Sequence, residues 1–209
     1  MRVHKINLSL IAFLNVSMVT LVVSFLFYFS FLDEEQINPK EEGFIRLFEK
    51  EAKFFKALGF KESGSENKKI NKFGYLGKYQ FGEVALSALG YYHKDGSARN
   101  DWRGKWTGKL GIFSKQDFIN SPLAQEVAIH ELTSYHWKVA KIHKLDRFIG
   151  EKMHGVHITR EGILAAMHLK GPSGVTRFIY KGIDSTDALG TGVKEYMRLF
   201  SNYEHLVDL

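Results

Sequence analysis

A run of 27 residues without a charge, Ile6 through Leu32, constrains this chain more than any other feature. Arg2, His4 and Lys5 precede it, and Asp33, Glu34 and Glu35 close it. A helix of about 20 apolar residues covers the hydrocarbon core of a bilayer, so the run is long enough to span with some tilt. It is too long, and too apolar on every side, for an ordinary core helix. A cleavable signal peptide carries an apolar stretch of roughly 7–15 residues followed by a small-x-small cleavage site. Here the late part, Phe25 to Leu32, holds only Ser30 as a small residue. The reading is therefore a retained transmembrane signal anchor over 6–32 behind a cytoplasmic segment 1–5, with a cleaved signal as the alternative. Basic residues before the span and acids after it place the remainder outside the cytoplasm, which in a bacterium is the periplasm. A linker over 33–43 then leads to one folded domain, 44–209.

Charge and composition limit what that domain can bind. The chain has 29 Lys+Arg against 23 Asp+Glu, a net +6, and leaving out Arg2 and Lys5 gives 27 against 23, or +4. Such a balance suits an acidic polymer or an anionic surface and does not indicate nucleic acid. There is no cysteine, which removes disulfides, thiolate metal sites and cysteine nucleophiles together.

The domain reads as mainly α. Phe44, Ile45, Leu47, Phe48, Ala52, Phe55 and Leu58 form a helical stripe over 41–58, with Gly59 as its stop. Residues 64–80 are polar and glycine-rich, a loop with a small hairpin within 70–80. A short helix follows over 81–89. Residues 91–112 are irregular and hold Trp102 and Trp106. Ser121 and Pro122 open a helix to Ile142, serine as cap and proline at the first position. Thr159 caps another over 160–169, Gly171-Pro172 separates it from 173–180, and 192–203 supplies the last.

Three short segments carry chemistry. The first is Glu62-Ser63-Gly64, a carboxylate at a helix end beside the apolar Phe60. Desolvation there would raise its pKa and let it donate a proton to a glycosidic oxygen. The second is Gly74 to Gly82, where glycines admit close backbone approach, Tyr75 and Tyr79 can stack on sugar rings, and Gln80 both donates and accepts. The third is Ala165-Ala166-Met167-His168 running to Gly171-Pro172 at a helix end.

In this order the three resemble the lysozyme-like lytic transglycosylases that cut bacterial peptidoglycan, including the glycan-cleaving domains of envelope-spanning secretion systems and phage tails. That superfamily has a catalytic Glu-Ser pair, a Gly-Leu-Met-Gln type segment and an Ala-Tyr-Asn-x-Gly type segment. Glu62-Ser63 matches the first. Gly77-Lys78-Tyr79-Gln80 matches the second, with tyrosine replacing methionine. In the third, Met167 stands for tyrosine, His168 for asparagine, and one extra residue precedes Gly171. The resemblance covers about residues 44–205. It implies a lysozyme-like (α+β) fold, no cofactor and no metal, with Glu62 as general acid and then base. Ser63, Tyr75, Tyr79, Gln80, His168 and Gly171 would bind or orient the sugar. The implied substrate is the bond between N-acetylmuramic acid and N-acetylglucosamine, cut to leave 1,6-anhydro ends, and the implied partners are glycan strands, the inner membrane and a secretion or conjugation apparatus.

Two other readings remain open. Glu83 could complement the dipole of the helix it begins, or face Glu62 as a second acid and activate water, giving a hydrolytic muramidase. Glu66, Asp95 and Asp101 are more remote acids of the same kind. Alternatively the domain is a catalytically silent peptidoglycan-binding part of an envelope machine. His130-Glu131 begins like a zinc-protease motif, but position 134 is serine and His136 does not share the face of His130. His154 and His157 read as exposed histidines, and Lys68, Lys69 and Lys72 as a solvated loop.

Overall fold

A computed structural model describes residues 39–203, with side chains from residue 49 onward. The segments assigned from sequence to 1–5 and 6–32, and most of the linker, lie outside the described residues. Among the described residues no helix is long and apolar enough to cross a membrane. The chain divides into Met1–Arg46 and a compact unit, Leu47–Leu209.

The unit is mainly helical. Helix α1 is Pro39–Ser63, α2 Glu83–Ala88, α3 Lys115–Ile119, α4 Pro122–Ile142, α5 Arg160–Lys181 and α6 Val193–Phe200. Its only ladders among the described residues are two-residue antiparallel pairs: β1 Tyr92–His93 with β2 Lys105–Trp106, and β3 Lys152–Met153 with β4 Val156–His157. Helix starts follow the sequence. Ser114, Ser121 and Thr159 each accept from the backbone N–H three residues on, at 3.0 to 3.2 Å, caps worth about 1 kcal/mol apiece.

Two expectations are corrected here. Helix α1 does not stop at Gly59. It runs through to Ser63 and ends on Gly64 in the left-handed region (φ +72°), where Gly64 N donates to Phe60 O at 2.8 Å. Gly59 serves packing instead: a Cβ there would sit 2.6 Å from Lys78 Cε, so its absence lets the lysine stem cross the helix. Glu62 therefore stands in the last turn of α1 rather than beyond it. The second correction concerns residues 91–112, read as irregular, which hold the β1–β2 pair; strands of two residues are too short to show a period. At Gly171 (φ 66°, ψ 171°) α5 breaks its helical geometry, where the Gly-Pro pair predicted a separation.

Aromatic rings tie these elements into one core. Phe54 meets Phe200 of α6 at 5.9 Å between ring centroids, and Phe55 meets Tyr79 at 6.5 Å. Tyr79 continues to Phe81 at 6.1 Å, and Phe81 to Phe118 of α3 at 5.5 Å. All of these rings are buried and edge-on, an arrangement worth about 0.5–1.5 kcal/mol per pair beyond area burial. Both α1 and the Gly74–Gly82 loop are thereby fixed against the same core, and α6 packs along α5.

Candidate functional site

Where α1 ends, a cleft of about 190 Å³ opens, lined by Glu62, Asn71, Tyr75, Gln80, His168 and Tyr196 among others. These six come from four separate stretches of chain. Glu62 comes from the last turn of α1, the middle three from the glycine-rich loop, His168 from α5 and Tyr196 from α6. Lys61 and Asp187 also border it.

Glu62 is held by one short bond. The Tyr196 hydroxyl donates to Glu62 Oε1 across 134 positions of sequence. Tyr196 is 2% exposed. Burial first, and then the Glu62 carboxylate beside it, push its pKa well above the ordinary tyrosine value, so it keeps its proton and stays a donor. Hydrogen bonds to a charged acceptor are among the stronger ones, so Tyr196 fixes where that carboxylate points. Tyr196 belongs to the buried stripe Val193, Tyr196, Met197 and Phe200 of α6. It is the one member of that stripe with a polar tip, and this was the signal sequence reading passed over.

The loop is shaped by hydrogen bonds as much as by glycine. Gln80 sits at φ +49°, and its Nε2 donates to Gly77 O at 2.7 Å, which leaves its side chain folded against the cleft wall. Gly77 has φ +74°, and a Cβ there would lie 2.3 Å from Gln125 Oε1. That oxygen instead accepts from Lys78 N at 2.8 Å, while Gln125 Nε2 donates to Phe118 O and Asn67 O, both at 3.0 Å. Gln125 is fully buried and is the hub that sets the loop's path. His168 Nε2 lies 2.8 Å from Tyr79 O. A carbonyl only accepts, so this nitrogen carries the proton.

The residues singled out in the sequence thus separate into two groups. Glu62, Tyr75, Gln80 and His168 line one cleft. Ser63, Tyr79 and Gly171 do not. Ser63 Oγ is buried, donates to Lys78 O at 2.7 Å and accepts from Glu66 N at 3.0 Å, fastening the end of α1 to the loop. Tyr79 turns inward, and its hydroxyl donates to Glu126 Oε2 at 2.7 Å. Burial, then Glu126, raise its pKa. Gly171 is the break in α5.

Glu83 does not line the cleft either. It is fully buried at the start of α2. Its backbone N donates to Asn100 Oδ1 at 2.8 Å and its Oε1 accepts from Trp102 N at 2.5 Å. Trp102 and Trp106 stack at 5.4 Å and pack on the core, with Trp102 Nε1 donating to Gly74 O at 2.7 Å. His130 packs on Phe55, ring centroids 4.1 Å apart. Among the described residues, the group of acids or histidines close enough to share a metal is Glu83, Asp95 and Asp101, and it contains no histidine. A shallower groove adjoins the cleft, sharing Asn71, Phe73, Tyr75 and Ala188 with it and continuing to Arg99, Asn100 and Asp101.

Comparison with protein-family models, with curated proteins and with solved structures finds no match.

Proposed function

We propose that this protein is a peptidoglycan lytic transglycosylase with a lysozyme-like fold, cleaving between N-acetylmuramic acid and N-acetylglucosamine with Glu62 as its acid and base. One observation carries the reading: a carboxylate at a helix end, oriented by a buried tyrosine and ringed by Gln80, His168 and Tyr75 in a cleft that continues into a groove. Protonated Glu62 gives its proton to the glycosidic oxygen, and the bond to the muramic acid anomeric carbon breaks with oxocarbenium character. The resulting carboxylate, still accepting from Tyr196, takes the proton of the sugar's own C6 hydroxyl. That oxygen closes onto the anomeric carbon and forms the 1,6-anhydro ring. No water enters, so one carboxyl group suffices. Tyr75 offers a ring face to a sugar, and Gln80 and His168 border the place where its acetamido and hydroxyl groups would lie. The uncharged run 6–32 would hold the enzyme at a bacterial inner membrane, facing the wall from the periplasm, where a secretion or conjugation apparatus needs an opening.

A hydrolytic second reading has one observation in its favour. Asp187 borders the same cleft as Glu62 and could activate water, a role for which Glu83 is badly placed.

The test is digestion of purified sacculi by the full chain in mild detergent, beside Glu62→Gln, with products read by mass spectrometry. Muropeptides lighter by one water than the reducing forms, absent with Glu62→Gln, are expected. Reducing ends would replace this reading with the hydrolytic one. Binding to sacculi without any product would replace both with a silent binding module.

A further inference from the structure

Beside the adjoining groove, which Asp101 borders, three carboxylates converge. Glu83, Asp95 and Asp101 each offer an oxygen, and these oxygens all lie within 4.8 Å of one another. Their surroundings do not account for the cluster. The ion pairs of the described residues are Lys50–Glu161, Lys69–Glu66, Lys78–Glu126 and Lys109–Glu131, and none includes any of the three. Each carboxylate is instead positioned through one oxygen by a backbone N–H. Glu83 Oε1 accepts from Trp102 N at 2.5 Å, Asp95 Oδ1 from Ser97 N at 2.8 Å and Asp101 Oδ1 from Arg103 N at 3.3 Å.

The independent sign is Glu83 itself. The residue is 0% exposed, and its Oε2 is shielded from solvent with no hydrogen-bond partner. An ionised carboxylate oxygen buried without a partner is costly, and two more acids beside it add repulsion. A bound cation removes both costs at once.

We propose that Glu83, Asp95 and Asp101 form a binding site for a hard, oxygen-liganded divalent cation. Carboxylate oxygens are the ligands hard cations take. Two oxygens facing each other across one cation are at most roughly 4.2 Å apart for the about 2.1 Å bonds of Mg²⁺ and roughly 4.8 Å for the about 2.4 Å bonds of Ca²⁺, so oxygens this close can share a single hard cation. Asp95 is exposed and Asp101 half-buried, so the site opens to solvent on one side and leaves room for water ligands. Its role would be structural. Asn100, between the two aspartates' turns, accepts from Glu83 N and donates to Phe73 O at 3.3 Å. A cation would therefore set the wall formed by Arg99, Asn100 and Asp101 along the groove. This holds whatever the cleft cleaves.

Terbium(III) tests it, because it takes the same ligands and its emission is sensitised by a nearby indole, here Trp102. Titrated into the full chain in mild detergent, it should give saturable emission on tryptophan excitation that Ca²⁺ displaces. D95N keeps the Oδ1 acceptor for Ser97 on an exposed side chain, so it folds, and D101N does the same for Arg103. Each should weaken the apparent affinity about tenfold or more by removing one ligand charge. E66Q, an acid outside the cluster, should leave the titration unchanged. Absence of saturable emission, failure of Ca²⁺ to displace it, or emission indifferent to both D95N and D101N overturns the assignment.

Discussion

Glu62 and Glu83 lie on the two sides of the glycine-rich loop and are the same residue in opposite circumstances. Glu62 borders open space, and its one described partner is a phenol from the far end of the domain. Glu83 is sealed, one oxygen given to a backbone amide and the other left alone. A carboxylate's chemistry is set by what surrounds it: an accessible acid with a fixed donor can pass protons to a ligand, whereas a sealed one organises backbone or holds a cation.

The largest expected effect separates the two. E62Q should lower sacculus cleavage by about a thousandfold or more, roughly 4 kcal/mol of barrier, with little change in unfolding free energy. E83A should do the reverse at the level of stability, costing about 3 kcal/mol in denaturant titration because Trp102 N loses its buried acceptor. Equal stability loss in both variants would erase the distinction.

Next in size is G77A. It forces a side chain into φ +74° and into the Gln125 carboxamide, so a loss of about 3 kcal/mol is expected. Cleavage should fall in step with loop displacement; an unaltered melting curve would show that the hub does not set the loop. Y196F keeps the ring and removes only the hydroxyl. It should cut kcat by about 10- to 100-fold while KM moves little, in keeping with roughly 1.5–3 kcal/mol for a bond to a charged group. A KM effect alone would assign Tyr196 to sugar binding.

The last effect is one of pH. His136 is buried on α4, and burial first, then the neighbouring His168, push its pKa down to about 3. Free histidine titrates near 6.5, so below that pH the unfolded chain takes up a proton the folded one refuses. Stability from this group is complete above about pH 6.5 and falls as pH drops toward 3, by at most about 1.4 kcal/mol per pH unit. H136Q should flatten that slope in denaturation curves recorded from pH 7 to pH 4.

The same contrast shows what was legible in the sequence. Helix starts were, because Ser121, Pro122 and Thr159 act within one turn. Glu62, Tyr75, Gln80 and His168 could be picked out by residue type and order. Which way a side chain turns could not: Tyr75 and Tyr79 sit in one glycine-rich stretch, yet one borders the cleft and the other is core. Gly59 looked like a stop because glycine freedom and glycine smallness give the same letter, and only Lys78 crossing the helix tells them apart. Gln125 was beyond reach, since Lys78 and Asn67, which it fastens, lie 47 and 58 positions away, and Tyr196 left only a polar tip on a buried stripe as its sign.

That separation also bears on biosynthesis. Glu62 leaves the ribosome early, and its tyrosine follows 134 residues later. At about 5–20 residues per second, the interval is roughly 7 to 27 seconds. Throughout it the acid exists without the group that aims it. The cleft is finished only when α6 docks, so the emerging chain carries its acid through that interval without an assembled site.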